Sequence, residues 1–421
     1  MIGFSKKSLA KKPGEMIAAL DIGSAKVCCM IARITASGGI HITGVGQNVS
    51  PGVRAGRIID MDALEQAIGQ AVETAENMAG ETISSITVNI PALHLRSKMI
   101  TAETHISAGE VTRNDMRRLL SLAREVEKPG ESELIHAVAV DYTIDSTSGL
   151  RDPIGMKGRT LGARLHTVAA DYNVLQNLRL ALTRNHLEVE TFCADIYAAA
   201  LSAMVDDERE LGSAVIDIGA GTTGLAIFLD GQLAHVASVP IGGAHVTRDI
   251  ARGITTPLHH AERLKTLHGS AIQTSHDLSD LIEAPQIGEE SEHESEYFSR
   301  SVMTSIIQPR MEELLEMVRH RIEESGYEKA LGRRVVMTGG GALLSGISDL
   351  ATLILDKQIR IARPKGISGL AEAMHSPAYT SGCGMLIYTA RHLNESAAFV
   401  MPMLTSGTMF DRIKQWLKEN W

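Results

Sequence analysis

Asp21 and Asp217 each stand where an apolar run gives way to a loop of small residues. The first run reads Ala18-Ala19-Leu20-Asp21-Ile22-Gly23-Ser24-Ala25-Lys26-Val27, the second Ala214-Val215-Ile216-Asp217-Ile218-Gly219-Ala220-Gly221-Thr222-Thr223-Gly224. Small residues let a backbone turn tightly and present its N–H groups to phosphate oxygens. Ser24, Thr222 and Thr223 add hydroxyl donors, and Lys26 adds a point charge. A carboxylate at each strand end suits Mg²⁺ held through water, since that ion keeps several of its waters. The duplication predicts two related halves gripping a nucleotide between them. A third element, Val335-Val336-Met337-Thr338-Gly339-Gly340-Gly341-Ala342, runs from a strand into three glycines. Bare backbone at Gly339, Gly340 and Gly341 lets a flat adenosine lie close.

Length and composition set the frame for these loops. The 421 residues leave room for two or more domains, with 44% hydrophobic and 22% charged content typical of a globular chain. A formal net charge of −9 argues against nucleic acid as a partner. The four cysteines, Cys28, Cys29, Cys193 and Cys383, lie in apolar segments with no zinc-like spacing, which points to a reducing cytoplasm. Lys6, Lys7, Lys11 and Lys12 resemble the start of a signal peptide, but Asp21 and Lys26 break the apolar run that follows. No apolar stretch is long enough for a transmembrane helix.

Strand patterns cover 16–32 and 40–46. Asp60 then reads as the N-cap of a helix bearing Ala63, Leu64, Ala67, Ile68, Ala71, Val72 and Ala75 on one face and stopped by Gly80. A strand over 83–90 ends at Pro91. Residues 91–168 form a separate unit with a helix over 112–126 and a strand over 133–145. An α/β rhythm resumes with a strand at 167–170, a helix at 172–185, a strand at 188–193 and a helix at 195–204. Asp206 to Glu210 reads as a charged hinge. Past the second phosphate loop, Thr256-Pro257 reads as an N-cap with a first-turn proline, opening a helix on which Glu262 and Lys265 share a face. Spacing alone makes that pair a solvated ion pair. Residues 286–296 carry Glu289, Glu290, Glu292, Glu294 and Glu296 and read as a surface loop, with His293 exposed. A long helix over 299–326 carries Val302, Ile306, Met311, Leu314, Leu315 and Val318 toward the core, with Pro309 expected to kink or divide it.

Phosphate loop, connecting helix, phosphate loop, adenosine loop and final connecting helix occur in the order of the actin/chaperone ATPase superfamily, which the chain resembles. Within it the chain closely resembles the bacterial FtsA cell-division family. Gly52-Val53-Arg54-Ala55-Gly56, Asp152-Pro153-Ile154-Gly155-Met156, Val239-Pro240-Ile241-Gly242-Gly243-Ala244-His245 and Ala261-Glu262-Arg263-Leu264-Lys265 carry the likeness, which covers residues 15–421. The resemblance implies an α/β, actin-like ATPase fold of two related halves around a nucleotide cleft, with an inserted small α/β subdomain. The implied division is 15–90, 169–205 and 376–395 for one core unit, and 206–240 and 311–375 for the other. Residues 91–168 are the insert, and 241–310 a nucleotide- and FtsZ-tail-binding unit. Asp21, Gly23, Ser24, Ala25, Lys26, Asp217, Gly219, Gly221, Thr222, Thr223 and Gly243 are implied to surround ATP phosphates and Mg²⁺. Glu262 and Lys265 are implied to meet the nucleoside, against the ion-pair reading. Asp195 stands where chaperone relatives place a carboxylate near the attacking water; it is equally a helix N-cap. Arg300 and Arg310 are implied partners for the acidic FtsZ tail. The connecting helices are 195–204 and 381–393, the latter opening with Ser381-Gly382-Cys383-Gly384, suited to a close helix crossing.

The tail bears on function. Met409, Phe410, Ile413, Trp416, Leu417 and Trp421 fall within an arc of roughly 140° on a helix, flanked by Arg412 and Lys414. Both tryptophans of the chain lie there, and tryptophan favours the membrane interface. The alternative is a helix docked on its own domain or a partner. Residues 396–407 read as a linker and 408–421 as an amphipathic membrane-targeting helix. The expectation is an ATP-binding protein with weak or no ATPase activity, peripheral on the inner face of the cytoplasmic membrane at the division site. It tethers FtsZ by binding the C-terminal tail of FtsZ, self-associates into polymers and recruits other division proteins. The rivals are a soluble actin-fold ATPase or kinase and a pilus-assembly actin homologue.

Overall fold

The computed structural model describes residues 14–125, 130–274, 280–287 and 295–395. Strands β1 (Met16–Ile22), β2 (Lys26–Ile34) and β3 (Ile40–Val49) form an antiparallel meander. A short hairpin follows, β4 (Val53–Arg54) with β5 (Arg57–Ile58). Helix α1 (Met61–Ala79) starts where the Asp60 carboxylate accepts the Ala63 N–H at 3.0 Å, and stops at Gly80 in the left-handed region. Strand β6 (Ser85–Ile90) pairs parallel to β1.

The insert contains β7 (Leu95–His105), α2 (Arg113–Glu125), β8 (Ser132–Ile144), β9 (Thr147–Leu150) and β10 (Thr160–Asp171), in sheet order β7-β10-β8-β9. Two readings change here. The strand expected at 167–170 is the end of the twelve-residue β10, an interior strand of the insert's sheet. Strand β7 carries no clear alternation in its sequence, since its side chains are mostly exposed or half-buried with only Ala102 buried. Helix α3 (Tyr172–Arg184), strand β11 (Glu188–Ala194) and helix α4 (Asp195–Ala203) return the chain to the first sheet.

Helix α5 (Asp206–Glu210) replaces the expected hinge. Glu208 is buried there, and its carboxylate accepts from Arg360 Nε at 2.7 Å, Arg360 Nη2 at 2.6 Å and the Val205 N–H at 3.1 Å. Burial works against its charge, yet these donors hold the carboxyl below the usual glutamate value. Its contribution is therefore full above the ordinary glutamate value and fades as the pH falls below it. Glu208→Ala is expected to cost about 2 kcal/mol in urea unfolding at pH 7; an unchanged midpoint would make the pair ornamental.

The second half repeats the first: β12 (Ser213–Ile218), β13 (Thr223–Leu229) and β14 (Gln232–Val239) form a meander. Helix α6 (Gly243–Gly253), helix α7 (Leu258–His268), the hairpin β15 (Leu281–Pro285) with β16 (Ser295–Ser299), and helix α8 (Arg300–Glu324) follow. Then come β17 (Arg334–Thr338), α9 (Ile347–Leu355), β18 (Gln358–Ile361), β19 (Ile367–Ser368) and α10 (Thr380–Glu395). Pro309 does not divide α8, which runs unbroken across the boundary expected at 310/311, and Val302 is exposed rather than in its core stripe. Thr256 does not cap α7; its hydroxyl donates to the Pro285 carbonyl, and Pro257 takes the cap position. Strand β19 pairs with β3, so the chain rejoins the first sheet before the expected residue 376. Most of the acidic stretch, with Glu289, Glu290, Glu292, His293 and Glu294, lies outside the described residues; Glu296 is on β16.

The two large sheets share one plan. Strand order β3-β2-β1-β6-β11 in the first corresponds to β14-β13-β12-β17-β18 in the second, with the same parallel and antiparallel pairings. Period-two alternation sends Ala18, Leu20 and Ile22 into a core with α1 and α3, and Ile17 and Ala19 into one with α4 and α10. In β12, Ala214, Ile216 and Ile218 face α8 and α9, while Val215 packs with Ile196 and Ala200 of α4. Asp21 and Asp217 have the odd parity. Both therefore point toward α4.

Candidate functional site

The two phosphate-type loops have the same construction. Ile22 pairs with Val27 and Ile218 with Thr223, leaving four-residue turns closed by Gly23 N–H to the Lys26 carbonyl at 2.9 Å and Gly219 N–H to the Thr222 carbonyl at 3.0 Å. They face each other across a cleft of about 810 Å³. Asp21, Gly23, Ser24, Ala25, Lys26, Asp195, Asp217, Gly219, Gly221, Thr222, Gly243, Glu262, Lys265, Gly339, Gly340 and Gly341 all line it. Residues from both halves and from all three glycine-bearing loops thus meet in one cavity.

Thr223 does not. It is fully buried and donates its hydroxyl to the Ile241 carbonyl at 2.8 Å. Ser24 Oγ accepts the Gly56 N–H at 2.9 Å, which leaves its own proton for a ligand. Lys26 Nζ stands 3.2 Å from the centre of the Tyr379 ring, a cation–π contact at the cleft wall. Asn89, with no motif around it, also lines the cleft; its side chain accepts the Ile22 N–H at 2.7 Å and donates back to the Ile22 carbonyl, pinning the first loop.

At the other end Lys265 Nζ donates to Glu262 Oε2 at 2.7 Å, Thr247 Oγ1 at 2.8 Å and the Gly243 carbonyl at 3.1 Å. The pair is therefore part of a network anchored to the start of α6 and turned to the cavity, not a free solvated couple. Gly339 has φ +86°, and a Cβ there would come 2.2 Å from Asp217 Oδ1, so only glycine fits.

The floor carries three carboxylates, each partly open to the cleft. Burial raises Asp21, with Lys26 opposing. Burial and the neighbouring Asp21 charge push Asp217 up to about 7, again opposed by Lys26. Asp195 is raised well above the ordinary value by burial and by Asp217, although the Ile196 N–H donates to it at 2.6 Å. Like charges enclosed together are costly unless a cation joins them, so the donor set fits Mg²⁺. Among the described residues no group of three carboxylate, histidine or cysteine side chains is placed to ligate a metal directly. Asp21 and Asp217 accordingly suit a hydrated ion.

Arg300 also lines the cleft, its Nε donating to the His268 carbonyl at 2.9 Å. Arg310 sits about 15 Å along α8, its guanidinium bound by Asp249 and Glu313. Met409, Phe410, Ile413, Trp416, Leu417 and Trp421 lie outside the described residues. Among the described residues no helix is long and apolar enough to cross a membrane.

Residues 214–384 match the family model for the cell division protein FtsA, and residues 93–169 that for the SHS2 domain inserted in FtsA. The chain is 40% identical to the cell division protein FtsA of Agrobacterium fabrum, over 98% of this chain and 97% of that one. It is 30% identical to FtsA of Escherichia coli K12, over 96% and 98%. Among solved structures, a chain of the PilM–PilN type IV pilus biogenesis complex superposes with a TM-score of 0.66, at 16% identity over 90% of this chain and 99% of that one. MreB5 of Spiroplasma citri bound to ADP gives 0.54, at 16% identity over 91% and 98%. The structural likenesses establish the actin-like ATPase fold, with the matched SHS2 module inserted in its first half. Sequence identity sustained over nearly the whole chain then narrows that broad fold to one lineage: the chain belongs to the FtsA family of cell division proteins.

Proposed function

We propose that the chain binds ATP with Mg²⁺ in this cleft and serves as a membrane adaptor for FtsZ filaments. The observation that carries the reading is the convergence of three glycine-bearing loops, from two halves of matching plan, on one cavity floored by carboxylates. Ser24, Ala25, Lys26, Gly219, Gly221 and Thr222 hold the phosphates. Glu262 and Lys265 take the nucleoside and Gly339, Gly340 and Gly341 the adenine. Asp21 and Asp217 hold the hydrated Mg²⁺, which when bound neutralises phosphate charge. Asp195 orients a water, with turnover slow or absent.

The adaptor role rests on family membership and on the tail sequence. Fully burying the six apolar residues of 408–421 contributes on the order of 10 kcal/mol gross, and shallow insertion leaves far less. The tail's charges nearly cancel, so apolar insertion dominates and one tail binds weakly; self-association gathers tails and raises avidity. The chain then sits peripherally on the inner face of the cytoplasmic membrane at the division site, where it recruits other division proteins. The FtsZ tail docks on 241–310, where its carboxylates meet Arg300 and compete with Asp249 and Glu313 for Arg310.

Both tryptophans lie in the tail, so its insertion can be read directly. Titrating the protein, with Mg·ATP, with phosphatidylethanolamine/phosphatidylglycerol vesicles should shift tryptophan emission to the blue and carry the protein into the vesicle pellet. A chain ending at Gly407 should stay in the supernatant. Unshifted emission with no sedimentation leaves the tail as a docked helix and ends the adaptor reading.

A further inference from the structure

We propose that His136, supplied by the inserted subdomain, is a positioning residue for Asp195, and that through it the insert takes part in the hinge of the nucleotide cleft. The role given to Asp195 rests on the nucleotide reading above.

His136 lies on β8 and is 6% exposed. Its Nε2 accepts the Ala194 N–H at 2.9 Å. That bond places the imidazole proton on Nδ1, which stands 3.4 Å from the Tyr388 hydroxyl. The ring meets Tyr197 and Tyr388 edge-on, with centroids 5.2 and 5.3 Å away. Tyr197 belongs to α4 and Tyr388 to α10. One imidazole from the insert therefore touches both helices that join the halves, and holds the backbone one residue before Asp195.

The root of the insert also comes near Asp195, whose carboxylate accepts the Ile196 N–H at 2.6 Å; the Ala92 backbone lies close enough to favour its charged form. The insert also grips the other half: Ser97 Oγ, on β7, accepts the Val236 N–H of β14 at 3.1 Å and pairs with His166 Nε2 at 2.7 Å. Around these bonds Val168, Ile196, Val215, Phe228 and Val236 form one apolar cluster. The insert is thus bonded to the first half one residue before Asp195, and to the second half at Val236. A closure of the cleft that moves the halves shifts these bonds, and whatever stiffens the insert resists or favours closure by the same free energy.

A histidine kept only for packing would be replaceable by leucine. Leucine leaves the Ala194 N–H buried without its acceptor, whereas glutamine can offer a carbonyl oxygen in place of Nε2. The test is backbone hydrogen exchange of the full chain with and without Mg·ATP. In the parent, nucleotide should slow exchange in 21–26 and 217–223 and also in 132–144 and at Ala194, by about fivefold or more. In His136→Leu the loops should still respond while 132–144 does not, and His136→Gln should restore the response. A parent whose loops respond while 132–144 stays unchanged overturns the proposal, even if no variant folds. So does a His136→Leu protein that responds like the parent. Loops that ignore nucleotide overturn the nucleotide reading itself and take this proposal with it.

Discussion

An Asp217→Asn protein is expected to be more stable than the parent without ligand at pH 8, yet to bind Mg·ATP about 100-fold more weakly. Burial and the Asp21 charge raise Asp217 from an ordinary 3.8 to about 7 in the folded protein. Between those values the folded state holds more protons than the unfolded one. The contribution of Asp217 to stability therefore falls as the pH rises from about 4 to 7 and is level above. Asparagine carries no charge to repel Asp21, so the slope should shrink by the share of Asp217, with a gain on the order of 2 kcal/mol at pH 8. In the proposed site magnesium would compete with the proton for the carboxylate, so nucleotide affinity of the parent should climb as the pH passes 7. Urea unfolding at pH 5 and pH 8, with calorimetric titration of ATP at several Mg²⁺ concentrations, separates the two effects. Equal pH slopes in both proteins, or Mg-dependent affinity untouched by the substitution, would remove Asp217 from the metal site.

Gly384→Ala is expected to be the most damaging glycine-to-alanine change among the described residues. A Cβ at 384 would lie 1.6 Å from the Ala198 carbonyl oxygen and 2.3 Å from its carbon. Those atoms are backbone of α4, whose residues Ala198, Ala199 and Ala200 are wholly enclosed, so α4 has nowhere to retreat. In an exposed helix the same change would stabilise by nearly 1 kcal/mol. Here the two connecting helices must part, at a cost of at least about 3 kcal/mol. The variant should unfold at much lower urea and accumulate poorly in soluble form. A midpoint equal to the parent's would mean that the helices cross less closely than Gly384 indicates.

Much of this was legible in the residues because local chemistry decided it. The phosphate-type turns, the Asp60 and Gly80 ends of α1, and the small-residue crossing at Gly382 and Gly384 each depend on a few adjacent side chains. The errors share a different cause. Thr223 follows Thr222 directly, but it is the first residue of β13, and one step along a strand turns a side chain to the opposite face. Asp206 to Glu210 reads as a hinge until Arg360, far along the chain, is seen to neutralise Glu208. Asn89 and Arg300 reach the cleft because of where β6 and α8 are packed, which no neighbouring residue announces. The parity that aims Asp21 and Asp217 at α4 was open to counting all along. What counting could not supply was the helix they would meet.

The matched strand orders of the two sheets carry one more consequence. In the second half, the chain leaving β17 makes the Gly339, Gly340 and Gly341 loop before α9 and β18. The equivalent exit in the first half, after β6, begins at Pro91 and carries the whole insert before α3 and β11. By pseudo-symmetry the insert thus springs from the strand end that in its twin opens the glycine loop lining the cleft. The shared plan thus has one exit that is a loop of bare backbone on the cleft wall and another that is a subdomain of its own.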